Sequence, residues 1–387
     1  HHEAQPGSLT GRAEGAGQVG GECSQVGGLV HRLHTAGLKT REIQEGIDQL
    51  LEPHTVALHN GEQLPVRRQE LGRRRGEEVL ERVVRRLERT PDDAGLQYFA
   101  QLAIFHEDMH AEAFHYTRQT LGYPDPFPAQ AAPTAAQEVP RGDVELPGGD
   151  FLLGAEPDRG FVFDNEKWAH PVRIAPFRIA RVAVTSSEFL EFVEAGGYRR
   201  REWWSDAGWA WRAGADAQAP RYWVREGNAW LQRRFDRVVA LDPGHPVIHV
   251  NWHEAQAYCR FARRRLPTES EWEFAAAWST RDGEKRRYPW GEAAPGAAHA
   301  NLESGAPVAV NAHGAGDSAS GCRQLLGNTW EWTESSFDPS PWFGIDPYYE
   351  YSQPCFVPSK VLRGACFPTP RRLVRNPFRN FYTPGSN

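Results

Sequence analysis

A proline- and alanine-rich stretch, PDPFPAQAAPTAAQEVPRGD at 124–143, separates two segments of different texture. Proline fixes φ and has no backbone donor, so no regular helix or central strand continues through such a run. The chain is therefore expected to fold as separate units, with a boundary between Pro124 and Pro140 and a linker over 125–140. At 387 residues it is long enough for two or three domains, and its hydrophobic content of 40% can fill their cores.

Upstream of the linker the periodicity is helical. Val79, Leu80, Val83, Val84 and Leu87 recur at helical spacing among Arg and Glu. A second helix is predicted to start at Thr90 as cap, with Pro91 in the first helical position and Asp92 and Asp93 at the positive end of the dipole. It ends near Leu121, with Gly122 and Pro124 as stop signals. Residues 67–124 thus read as a helical domain. Residues 1–66 are Gly-rich and without period. They stay unassigned, and two expectations remain open for them: disorder, or an out-of-frame reading. The one methionine, Met109, is internal, which reads as a fragment.

Downstream, over 141–387, short β-like runs (FRIARVAVT, RYWVREGNAWL, KVLRGACF) alternate with Gly, Pro, Asp and Asn. Three helices interrupt them: SSEFLEFVEAGG, NWHEAQAYCRFARR with Asn251 as cap, and TESEWEFAAAW with Thr268 as cap. The fold class is α+β, held by aromatic packing.

A net charge of −6 gives no reason to expect a nucleic-acid partner. The arginines between Arg67 and Arg89 alternate with Glu and read as a solvated face. No apolar run is long enough for a membrane span. Five cysteines without paired spacing suit a reducing, cytoplasmic compartment.

The stretch FHEDMHAEAF (105–114) carries His106 and His110. With Phe99, Leu102, Ala103, Ala113, Phe114, Thr117 and Leu121 they form one helical stripe, which is expected to be the buried face. At this spacing both imidazoles can reach one cation, with Glu112 and Asp108 as partners for the ring N–H groups. Two satisfied core histidines are the alternative. HEDMH also fits H-E-x-x-H, but the longer protease form needs Gly at Ala113 and His at Tyr116, so a protease is not favoured.

HPVIHVNWHEAQAYCRFARRRLPTESEWEFAAA (245–277), YPWG (288–291), GNTWEWT (327–333) and KVLRG (360–364) occur in order. Together they resemble the formylglycine-generating-enzyme-like domain, a C-type-lectin-like fold. Trp272, Trp330 and Trp332 read as core, the Arg265–Glu271 segment as a helix cap, and Gly327 and Gly364 as turns. The nearby cysteine pair of a formylglycine-generating enzyme is missing, since Cys366 stands alone. A helical domain with H-x-x-x-H-x-E in front of this fold resembles the ergothioneine-type synthases. FDNEKWAHPV (163–172), WWSDAGWAWR (203–212), DPYYEYS (346–352) and RNPFRNFYTP (375–384) resemble the same family.

The resemblance implies a DinB-like helical bundle holding one non-haem Fe(II) through three histidines, two of them His106 and His110. It implies dioxygen-dependent bond formation between a chalcogen donor and the imidazole C2 of hercynine. It further implies Tyr348, with Tyr351 as second choice, as the catalytic tyrosine. Asn380, Phe381, Tyr382 and Met109 would line the substrate site, Phe381 facing the quaternary ammonium. Where sulfur-using members carry Gln and Trp-Asp, this chain has Met109 and Phe381-Tyr382, and it most resembles selenoneine synthases, whose donor is a selenosugar. A cysteine-type thiol donor and a non-catalytic lectin-like binding module are the alternatives. The family's first histidine lies in a W-x-x-G-H-x-x-W-F-like stretch that is absent here, leaving His31, His34, His54 and His59 as candidates for a third ligand.

Overall fold

In the computed structural model the described residues are 66–127, 142–157, 159–344 and 351–387, with side chains described from Glu78. His31, His34, His54, His59, Tyr348 and most of the linker lie outside them. The chain divides into two units, one holding the described residues 66–100 and 351–354 and the other holding 101–344 and 355–387.

The first helix, α1, spans Val66–Arg89 and the second, α2, Ala94–Leu121. The break between them differs from expectation. Thr90 Oγ1 donates back to the Arg86 carbonyl at 3.0 Å and closes α1. The cap of α2 is Asp93, whose Oδ1 accepts from Leu96 N at 2.9 Å. Pro91 sits in the intervening turn, so Thr90 ends a helix where it was expected to start one. The stop signal behaves as expected. Gly122 has φ of 69°, and Tyr123 N donates to Arg118 O at 3.0 Å, closing the helix with the 6→1 bond of a Schellman motif.

In the second unit every strand pair is antiparallel. β1 (Asp143–Leu146) pairs with β4 (Phe177–Ala180), and β2 (Gly149–Leu153) with β3 (His170–Ile174). Helix α3 (Ser186–Glu194) and helix α4 (Asp206–Gly214) precede the meander β5 (Trp223–Glu226), β6 (Ala229–Arg234) and β7 (Arg237–Ala240). Then come α5 (Trp252–Phe261), α6 (Glu269–Ala277) and the small pair β8 (Trp278–Ser279) and β9 (Glu284–Lys285). A last sheet orders β10 (Glu331–Ser336), β11 (Lys360–Arg363) and β12 (Arg379–Tyr382). Among the described residues no helix is long and apolar enough to cross a membrane.

Two aromatic cores result. One surrounds α6 and takes side chains from β1 to β4; the other joins Phe189 and Phe192 of α3 to Trp204, Trp252 and Tyr258. The expected caps at Asn251 and Thr268 are both full capping boxes. Arg265 clamps Glu271 at 2.7 and 2.6 Å, as the sequence suggests. Helix α4, capped by Ser205, was not expected as a helix. Its alternation of Trp with Ala and Gly gives little apolar periodicity.

All of α6 except Ser270 is buried. Its carboxylates therefore need partners inside the protein. Arg363, 1% exposed, bonds Glu269 at 2.7 Å and Glu273 at 2.6 Å. Arg379 adds a second bond to Glu269 at 2.7 Å, and Lys285 one to Glu273 at 2.7 Å. Trp272, 0% exposed, donates to Glu331 Oε2 at 2.7 Å. Burial pushes Glu331 up to about 7 against one favourable hydrogen bond. A carboxyl whose folded pKa lies above its unfolded value favours the folded state most at low pH. That stability is lost as pH rises from the ordinary carboxylate range through about 7. Glu331→Gln should flatten this segment of the stability-versus-pH curve, removing a slope of about 1.4 kcal/mol per pH unit. Denaturant melts from pH 5 to 8 would measure it, and an unchanged slope would refute the assignment.

Candidate active site

Helix α2 carries the candidate residues, but its buried side is not the predicted stripe. From Gln101 onward the buried residues are Leu102, Asp108, Glu112, His115 and Gln119. At about 100° per residue, the last four lie on the side opposite His106 and His110. Ala103 and Leu121, placed on the stripe, are exposed. The reason is the partner surface, which offers polar groups rather than apolar ones.

Asp108, Glu112 and Gln119 on this face are matched by hydrogen bonds, whereas His115 Nδ1 is buried with no hydrogen-bond partner among the described residues. Arg372 holds Asp108 in two bonds, at 2.6 and 2.7 Å. Glu112, 5% exposed, accepts from Trp330 Nε1 at 2.7 Å, Thr369 Oγ1 at 2.5 Å and Cys366 Sγ at 3.3 Å. Gln119 donates to Arg233 O at 3.0 Å and accepts from Phe235 N at 2.6 Å. His115 lies among the rings of Phe127, Phe235 and Phe367, and burial lowers it to about 4. Glu112 and Asp108 are thus committed to the loops just before β10 and after β11. Neither supports an imidazole, as the sequence alone suggests they could.

Glycines bring those loops in. Gly364 ends β11 at φ of 100°, where a Cβ would sit 2.5 Å from Leu325 O. Gly327, at φ of 82°, would place a Cβ 2.7 Å from Asn301 O, and its N donates to Gly364 O at 2.7 Å. Only glycine fits both positions. The junction sets Trp330 and Cys366 against Glu112. Trp330 therefore meets α2 with its indole N–H instead of being fully buried in the core. Burial pushes the Cys366 thiol well above its usual value, and Glu112 pushes it further, so the group at Glu112 is a thiol donor.

His106 and His110 sit with ring centroids 4.6 Å apart. Burial lowers His106 to about 3, with the charge of His110 acting in the same direction, so its ring is neutral at physiological pH. His110 Nε2 is buried and has no hydrogen-bond partner among the described residues. A buried imidazole nitrogen without a partner is costly unless something binds it. The pair thus suits a cation, as two ligands of one ion. Among the described residues no group of three His, Cys, Asp or Glu side chains adds a third.

Met109 is half-buried between the two histidines. Tyr116 lies six residues beyond His110, about 9 Å along the axis. Its hydroxyl meets that of Tyr382 on β12 at 2.7 Å, and burial followed by Tyr382 raises the Tyr116 phenol well above its usual value. Successive strand residues alternate faces. Asn380 accordingly shares the Tyr382 face, and its Oδ1 accepts from Phe381 N at 2.8 Å. Phe381 stacks on Phe337 at 4.1 Å on the opposite face. Tyr351 is buried and belongs to the first unit.

Sequence reasoning did not single out Tyr116 or Arg372 as site neighbours. Their partners are more than 260 residues distant, and no local pattern records such pairs. Glu112 was visible in H-x-x-x-H-x-E, but not its donors.

The Sulfatase-modifying factor enzyme 1-like domain model matches residues 128–387. The chain is 40% identical over 357 residues to a hercynine oxygenase of Mycolicibacterium thermoresistibile, covering 90% of this chain and 78% of that protein. That similarity reaches into residues 1–65, since it leaves only about a tenth of the chain outside. A hercynine oxygenase of Mycobacterium tuberculosis is 42% identical over 299 residues, covering 76% of this chain and 70% of that one. A formylglycine-generating enzyme of Streptomyces coelicolor is 35% identical over 277 residues, covering 62% and 84%.

Proposed function

The chain belongs to the ergothioneine-type, sulfatase-modifying factor enzyme 1-like family, and from that premise we propose that it is an oxidoreductase acting on hercynine, joining a chalcogen donor to the imidazole C2. Similarity to hercynine oxygenases over 90% and 76% of the chain supports the substrate. The observation that carries the enzymatic reading over a binding module is the pair of adjoining imidazoles, one with a buried nitrogen left unpartnered among the described residues. A binding module on this fold has no need of such a pair.

His106 and His110 would hold Fe(II), which when bound supplies activation of dioxygen as the oxidant for the carbon–chalcogen bond. The chain's own residues do the remaining work. The neutral His106 ring presents a lone pair rather than a charge. Asn380 is proposed to hydrogen-bond the substrate carboxylate through its amide N–H. Tyr348, or Tyr351, is the proposed proton donor. Phe381 is proposed to face the trimethylammonium group, which would require its ring to leave Phe337.

The proposed donor is a selenosugar. Phe381 and Tyr382 stand where the sulfur-using members carry Trp-Asp, and Tyr382 offers its phenol to Tyr116 in place of that carboxylate, so a donor bearing a free ammonium would lack the counter-charge the Asp supplies. One missing charge-assisted hydrogen bond is worth about 1.5–3 kcal/mol. That is roughly 10- to 150-fold in discrimination, a loss a neutral sugar does not feel. Mass spectrometry of products from hercynine, Fe(II) and O₂ with a selenosugar, cysteine or γ-glutamylcysteine would test this. We expect preference for the selenosugar. Equal or better turnover with either thiol would leave hercynine as substrate and replace the donor.

A further inference from the structure

We infer that Glu112 is a positioning residue that sets the roll of α2 about its axis and thereby aims His106 and His110; the inference rests on reading those histidines as the reactive pair. Glu112 lies two residues after His110, about 200° round the helix. It cannot join the imidazoles in one site, and its carboxylate is already occupied by three donors. Those donors come from two loops fastened to each other through Gly327 and Gly364. They hold both carboxylate oxygens, Trp330 and Cys366 on Oε1 and Thr369 on Oε2, which fixes the azimuth of the helix as well as its distance.

The lever is long. A helix with side chains is about 10–12 Å across, so a 20° roll displaces the rings by about 2 Å. Displacements of about 1 Å at a reactive group can cost roughly 100-fold. Asp108 is bound to the same surface, but its partner Arg372 is an exposed, flexible side chain, 59% exposed, which can follow a rolling helix. Trp330 and Thr369 cannot follow, because Thr369 is 0% exposed and Trp330 is tied to the glycine junction. The carboxylate at the end of H-x-x-x-H-x-E therefore has a role in this chain without touching metal or substrate.

The test uses the full chain with ¹³C-labelled histidine. In metal-free protein, Glu112→Ala should move the ring resonances of both His106 and His110, whereas Asp108→Asn should leave them in place. Glu112→Gln keeps one oxygen acceptor and should restore most of the wild-type positions. Titration with Co(II) alone should show an affinity loss of about 10- to 100-fold in Glu112→Ala and little in Asp108→Asn. If Glu112→Ala does not fold, Thr369→Val removes the shortest of the three bonds and is read in the same way. Unchanged ring resonances in a variant whose helical circular dichroism is intact would overturn the proposal. So would equal shifts in the Glu112 and Asp108 variants, which would indicate a general docking role. Failure of the wild-type chain to bind Co(II) would count against the metal reading, and the ring resonances would still decide Glu112.

Discussion

Replacing His110 with alanine should lower hercynine turnover by at least about 10³-fold, equivalent to about 4 kcal/mol of transition-state stabilisation. The same holds for His106→Ala. His110→Ala should cost little stability. His110 Nε2 makes no hydrogen bond among the described residues, so its removal leaves no described partner unsatisfied. His253→Ala on α5 is the control. It also has a buried ring nitrogen without a hydrogen-bond partner among the described residues, and it packs beside Trp211 and Trp252 in the second core. Product mass spectrometry and elemental iron analysis should therefore separate the two sites. Full turnover in His110→Ala would end the proposed function, while a loss in His253→Ala equal to that in His110→Ala would point to a global effect.

Arg363→Ala should be the most damaging single change to the fold, lowering stability by about 3–5 kcal/mol. The substitution leaves Glu269 with Arg379 as its charge partner, and Glu273 with Lys285 and the Gly154 N–H, both carboxylates being buried. It also removes a guanidinium lying over the Trp272 ring at 5.2 Å. In a domain of this size each kcal/mol shifts the melting temperature by roughly 2–4 °C, so a fall of about 6–20 °C is expected. The pH dependence should change as well. Burial alone would raise Glu273, but Lys285 and Arg363 hold it below the ordinary carboxylate value. A depressed carboxylate stabilises the fold above its unfolded pKa, and that contribution is lost as pH falls through the folded value. Without Arg363 the variant should lose less stability than wild type between pH 5 and 3. A calorimetric shift under 2 °C would show that the cluster contributes little.

Much of the second unit was legible. The capping boxes at Asn251 and Thr268, the stop at Gly122, and the turns at Gly327 and Gly364 are local signals, each settled by a few neighbouring residues. RYWVREGNAWL reads as strand and forms the β5–β6 hairpin, because Gly227 at φ of 59° permits the tight turn. FRIARVAVT yields a strand only over Phe177–Ala180, since the following residues pair with nothing long enough to extend it. At Thr90 two adjacent capping signals competed, and the one with the following helical register, Asp93, prevailed.

The sequence by itself determined that α2 exists, where it stops, and that His106 and His110 share one of its sides, because all three follow from contacts within one or two turns. Only the tertiary structure decided which side of α2 is buried. An apolar stripe predicts burial when the partner surface is apolar. Here the partner surface offers an indole N–H, a hydroxyl, a thiol and a guanidinium, carried by residues 218 to 264 positions away. Once those donors are in place, a buried Glu112 and Asp108 cost less than the apolar pattern suggests, since each is desolvated only together with its hydrogen-bond partners. That pairing fixes the roll of the helix, and no periodicity within α2 could have revealed it.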